Sequence, residues 1–129
     1  MAQKILVVDD DPSVFKTLKA ILVNAGYEVV IAQNGEECAR KIVLDTPDLI
    51  LLDIVMPKMD GYAVLISIKE LKEMKADIPD IPVIVITGRD DEQARELLGK
   101  ENIKDYIVKP FDLEQLLGKI KSIINNKAS

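Results

Sequence analysis

Five short apolar runs restrict what this chain can fold into: Ile5-Leu6-Val7-Val8, Val29-Val30-Ile31, Leu49 to Leu52, Val83 to Ile86, and Tyr106-Ile107-Val108. They are rich in β-branched residues and mostly continuous rather than alternating. A strand with one face in water alternates apolar with polar residues, so a continuous run reads as a strand covered on both faces. Between the runs lie segments of helical period, five in all. In the first, Val14, Leu18, Ile21, Leu22 and Ala25 share one face; in the last, Leu113, Leu116, Leu117, Ile120, Ile123 and Ile124 do so. Strands and helices in strict alternation imply a parallel sheet with right-handed crossovers. The expected fold is α/β: a five-stranded parallel sheet, doubly wound, with helices on both faces.

The punctuation agrees. Asp11 before Pro12 reads as an N-cap followed by proline at the first helical position. Asn34 with Glu37, and Asp112 with Gln115, read as capping boxes, and Gly26 as a helix stop. No repeat, low-complexity tract or linker interrupts the 129 residues. One domain is expected over 1–129, with a core from about 4 to 124 and a tail, Asn125 to Ser129, that frays.

Composition excludes several functions. At 48% apolar residues the chain can build a core without disulfides or a structural metal. The net charge of −5 argues against nucleic acid as a direct partner, since phosphate binding wants a basic surface. With one cysteine and no histidine, a disulfide framework, a histidine zinc site and Ser-His or Cys-His catalysis are all excluded. Cys38 reads as a small buried residue. No run is long enough to span a membrane and the N-terminus is no signal peptide, so a cytoplasmic protein is expected.

In a doubly wound sheet the binding crevice opens at the carboxyl ends of the strands. Strand 1 ends in Asp9-Asp10-Asp11, strand 3 in Asp53, strand 4 in Thr87-Gly88 and strand 5 in Lys109-Pro110. Acids, a hydroxyl and an ammonium are thus expected to converge on one edge. Carboxylates held close together repel, and an all-oxygen set of this kind suits Mg²⁺. Lysine and threonine can each contact a phosphate oxygen, and a carboxylate can be the nucleophile toward phosphorus. Taken singly, Asp11 is better read as a helix cap, Thr87 as a strand residue and Lys109 as surface. The concurrence of Asp9, Asp10, Asp53, Thr87 and Lys109 at the same end of separate strands outweighs those plainer readings.

At these motifs the chain resembles the receiver domain of two-component response regulators, from Lys4 to about Ile124. ILVVDDDP matches the family's first strand and acidic pair, LLDIVMPKMDG the phosphoacceptor strand and loop, VIVITG the switch hydroxyl, and DYIVKPF the lysine with an aromatic three residues before it. The resemblance implies a flavodoxin-like fold, with the strands in the order 2-1-3-4-5, and Asp53 as phosphoacceptor. It also implies Mg²⁺ held by Asp10, Asp53 and the Val55 carbonyl, with Asp9 acting mostly through water. It implies a cis bond before Pro110 and a switch in which Thr87 moves toward the phosphoryl group and Tyr106 turns inward. The donor would be a sensor histidine kinase or a histidine phosphotransfer protein. The output would be a protein docking on the face of helix 4, strand 5 and helix 5, from a monomer or weak dimer.

Val55 and Arg89 flank the water path in the family. Val55 offers no polar side chain there, so slow self-dephosphorylation is expected. A haloacid-dehalogenase-like phosphatase would need an acid where Val55 stands. A flavodoxin-type binder would need a phosphate loop where Asp9 to Asp11 stand. A receiver-like interaction module that is not phosphorylated would have no use for the intact acceptor set.

Overall fold

The computed structural model describes residues 2–54, 61–75, 77–88, 96 and 103–128. In chain order the elements are β1 (Lys4–Val8), α1 (Pro12–Asn24), β2 (Glu28–Ala32), α2 (Gly35–Asp45), β3 (Leu49–Asp53), α3 (Gly61–Met74), β4 (Val83–Thr87), β5 (Ile103–Val108) and α4 (Leu113–Ala128). All strand pairs are parallel, in the order β2-β1-β3-β4-β5, as expected. The fourth helical segment of the sequence lies outside the described residues, so α4 is its fifth.

The continuous runs conceal a period of two. Ile5, Val7, Leu49, Leu51, Ile84, Ile86 and Ile107 face one core, against Phe15, Leu18 and Leu22 of α1 and Leu116, Ile120 and Ile124 of α4. Leu6, Val8, Ile50, Leu52, Val83 and Val85 face the other, against Cys38 and Ile42 of α2 and Val64 and Leu65 of α3. Each face is covered, so neither face of β3 or β4 tolerates a polar residue until the strands end. Burying one such side chain stabilises the fold by about 1.5–3 kcal/mol. Cys38 is the buried thiol the composition suggested, and burial pushes it up to about 12.

The edge strand β5 carries an irregularity. Ile103 pairs with Val83, yet Asp105 pairs with Ile84, so Lys104 is an extra residue. The bulge flips the strand's facing. Ile103 joins the core beneath α2 and α3, whereas Ile107 joins the core beneath α1 and α4.

The helix caps form as read. Asp11 Oδ1 accepts from the Ser13 N–H at 3.0 Å, and Pro12 opens α1. Asn34 Oδ1 accepts from the Glu37 N–H at 2.8 Å, and Asp112 Oδ1 from the Gln115 N–H at 2.8 Å. Glu37 reaches back to the Gln33 N–H at 3.0 Å, one residue earlier than a capping box places it. Gly26 takes φ +99° after α1. The end of α2 carries no stop signal in its residues: Thr46, a β-branched residue, takes φ +42° in the left-handed region. At the C-terminus, α4 continues past Asn125 to Ala128, a stretch with no proline or glycine to stop it.

Candidate functional site

The parallel registers bring the strand ends level. The Asp9 N–H donates to the Ala32 carbonyl at 3.1 Å, the Ile54 N–H to Ile86 at 3.0 Å, and the Lys109 N–H to Thr87 at 2.8 Å. Sheet bonding therefore continues right up to each residue of interest. Asp9, Asp53 and Thr87 are the buried polar or charged residues among those described, at 1%, 1% and 3% exposure. All three lie on the carboxyl edge, where the apolar runs stop.

Asp53 closes β3, the central strand. A buried carboxylate there is costly unless it is compensated. Its Oδ2 is hydrogen-bonded to the Lys109 ammonium, which reaches across from the end of β5. The bond between Lys109 and Pro110 is cis, as the resemblance implied. The carboxylate of Asp9 lies against Asp53. Asp9 Oδ1 accepts from the Asp11 N–H at 3.0 Å, but its Oδ2 is buried and accepts no hydrogen bond among the described residues. Burial above all, together with the charge of Asp53, pushes the Asp9 carboxyl up to about 7. The Asp11 N–H and the Lys109 ammonium oppose that rise without cancelling it. Asp11 itself is held low by the hydroxyl and N–H of Ser13, in keeping with its part as a cap.

A second cation fits here. Among the described residues one ammonium serves two adjoining buried carboxylates, and Asp9 Oδ2 is an oxygen ligand in waiting. Among the described residues no three acidic, cysteine or histidine side chains form a closed cage. Mg²⁺ does not need one, since it takes one or two carboxylates and keeps several waters. Of the expected acidic pair, Asp9 is the fully buried member and Asp10 is half-buried. Val55 and Arg89 lie outside the described residues, as do Pro57 and the rest of 55–60.

Tyr106 is half-buried and packs toward the core beneath α2 and α3. Next to it stands a group that the sequence did not single out. Asp105 Oδ1 accepts from the Tyr106 N–H at 2.8 Å, and its Oδ2 holds the Lys119 ammonium at 2.8 Å. No local pattern announces a pair 14 residues apart, because it depends on the bulge that turns Asp105 toward α4.

The family model for the response regulator receiver domain matches residues 5–121. The chain belongs to the response regulator receiver domain family. The receiver is 36% identical over 124 residues to the alkaline phosphatase synthesis transcriptional regulatory protein PhoP of Bacillus subtilis, a match covering 96% of this chain and 49% of that protein. It spans about half the length of the curated relatives it matches. Among solved structures it resembles a CheY-like response regulator receiver domain protein from Methanospirillum hungatei, with a TM-score of 0.82, 30% identity, and coverage of 99% of this chain and 98% of that one. It also resembles the receiver domain of the sensor histidine kinase PA1611 from Pseudomonas aeruginosa, with a TM-score of 0.80, 27% identity, and coverage of 97% and 99%. That structure is described with a magnesium ion coordinated in its active-site cleft. Among the described residues no helix of this receiver is long and apolar enough to cross a membrane.

Proposed function

We propose that this receiver accepts a phosphoryl group from a partner phosphohistidine onto Asp53 and answers by changing the surface it offers a downstream protein. The observation that carries the reading is the buried Asp53 carboxylate, bonded to Lys109 and backed by Asp9 at the carboxyl edge of the sheet. An Asp53 oxygen forms the new P–O bond as the donor's N–P bond breaks, and the imidazole leaves with the electron pair. Lys109, now bonded to Asp53 Oδ2, is placed to follow the charge onto a phosphoryl oxygen. The Thr87 hydroxyl, one strand over, is within the same edge and can donate to another. Positioning and electrostatics supply most of what phosphoryl transfer requires. Asp9, Asp10, Asp53 and the Val55 carbonyl are the residues that would hold Mg²⁺. Bound there, it would supply the positive charge that two carboxylates and an incoming phosphoryl group lack.

Phosphorylation adds close to two negative charges. Moving a two-state balance from 1:99 to 99:1 takes about 5.5 kcal/mol of differential interaction. Two charge-assisted contacts, from Thr87 and Lys109, are worth ~1.5–3 kcal/mol each. They bring the equilibrium most of the way, with Tyr106 as the side chain that reports it. The chemistry is the receiver's own phosphorylation and slow loss of that group, so we class it as a switch rather than an enzyme. The donor is a histidine kinase or phosphotransfer protein, and a lone free cysteine fits a cytoplasmic setting. The matched PhoP is a transcriptional regulator twice as long. We assign no nucleic-acid contact to the receiver itself, whose net charge is −5.

Incubation with a small phosphodonor and Mg²⁺, followed by intact mass, tests the reading. One phosphoryl group should appear in the wild type and none in Asp53→Ala. No gain in the wild type, with Mg²⁺ bound, would leave a receiver-like module that is not phosphorylated.

A further inference from the structure

We infer that Asp105 is a positioning residue for the switch, a carboxylate that clamps the backbone at Tyr106 and ties it to α4. The inference rests on the proposed switching part of Tyr106. Among the described residues β5 is the last strand of the sheet, so one of its edges has no neighbouring strand there. Successive N–H groups of a strand point to opposite edges. The Lys109 N–H points inward, to the Thr87 carbonyl of β4. By alternation the Tyr106 N–H points away from β4, to the outer edge of the described sheet.

Asp105 meets it there. Its Oδ1 takes the Tyr106 N–H at 2.8 Å, and its Oδ2 takes the Lys119 ammonium at 2.8 Å. One rigid carboxylate thus spans a strand amide and a helix side chain. Both ionic partners are partly shielded, at 26% and 31% side-chain exposure. The bulge at Lys104 sets Ile103 and Asp105 on opposite faces, so Asp105 shares with Ile107 the face that α4 covers. A cavity of about 490 Å³ opens beside the clamp, lined by Tyr106, Val108, Gln115 and Lys119. Below it Ile107 packs with Leu116 and Ile120 of α4 in the core, and the carboxylate bridge adds a polar tie between strand and helix at the rim. A movement of the Tyr106 backbone on phosphorylation is then passed to α4 through Asp105 and Lys119.

Amide hydrogen exchange, read by NMR on the full chain, tests this in two arms, with thermal melting to verify folding. In the unphosphorylated protein, Asp105→Ala should speed exchange at the Tyr106 amide at least tenfold. Asp105→Asn, which keeps an oxygen acceptor, should leave that amide protected. Equal protection in wild type and Asp105→Ala would overturn the clamp. In the phosphorylated protein, wild type should change exchange in both β5 and the first half of α4. Asp105→Asn and Lys119→Gln should take up the phosphoryl group equally well and change β5 alone. An unaltered α4 response in both variants would overturn the coupling. A wild type that takes up no phosphoryl group would remove the functional reading, while the first arm still decides the clamp.

Discussion

The raised Asp9 carboxyl makes the metal-free receiver most sensitive to pH just where most proteins are not. Asp9 titrates near 3.8 in an unfolded chain and at about 7 when folded. Between those values the native state holds a proton that the unfolded state has released. The stabilisation from this group is therefore complete below 3.8 and is lost as pH rises through 7. The whole shift corresponds to a ceiling of about 4 kcal/mol. Over the practical window, from pH 5.5 to 8, about 2 kcal/mol should disappear. The window begins above the isoelectric point near 4.8, where solubility falls. The assay is urea unfolding in a chelator at constant ionic strength, with stability extrapolated to zero urea. Asp9→Asn should be nearly flat over the same range and more stable than wild type at pH 8. Restoring Mg²⁺ at one hundred times its Kd should add about 2.7 kcal/mol to the wild type at pH 8. At pH 5.5 the same concentration should do less, because protons compete for the ligand oxygens. Parallel stability curves for wild type and Asp9→Asn between pH 5.5 and 8 would refute the reasoning.

Lys109→Met removes the ammonium from Asp53 and should destabilise the metal-free protein at pH 8 by about 1–3 kcal/mol, less than a fully buried pair because Lys109 is 31% exposed. Urea titration with and without Mg²⁺ checks it, and Mg²⁺ should return part of the loss. Thr46→Gly relieves a left-handed β-branched residue worth about 1–2 kcal/mol against a glycine entropy cost of about 0.5–1 kcal/mol. The net gain should raise Tm by a degree or more in calorimetry. Leu51→Ala empties a fully buried site on the central strand and should cost about 2–5 kcal/mol in the same urea assay.

Much of this was written in the order of residues. The β-branched runs gave the strands because a strand covered on both faces has no polar position to offer. The acids, hydroxyl and lysine at the ends of those runs marked the crevice, since a charge after four apolar residues has to leave the core there. Asp11, Asn34 and Asp112 capped their helices because each capping bond spans two or three residues. What escaped was non-local or conformational. The bulge at Lys104 arises from pairing with β4, and nothing in IKDYIV declares it. Thr46 adopts a backbone that its own side chain disfavours, imposed by the turn that leads into β3. The Asp105–Lys119 tie depends on both the bulge and the docking of α4. That Asp9, and not Asp10, would be the buried neighbour of Asp53 follows from where β1 stops pairing with β2, a matter of one residue.

The sequestered thiol of Cys38 turns α2 into its own reporter. The chain has one cysteine, it sits at 1% exposure beneath α2, and burial holds its thiol near 12. A thiolate-seeking reagent therefore meets almost no target while α2 is docked on the sheet. Each labelling event counts one excursion of that helix away from β1 and β3, and the labelling rate extrapolated to high reagent measures how often such excursions occur. Without any engineered probe, the unmodified receiver can show whether occupying the crevice tightens or loosens the helix on its far flank.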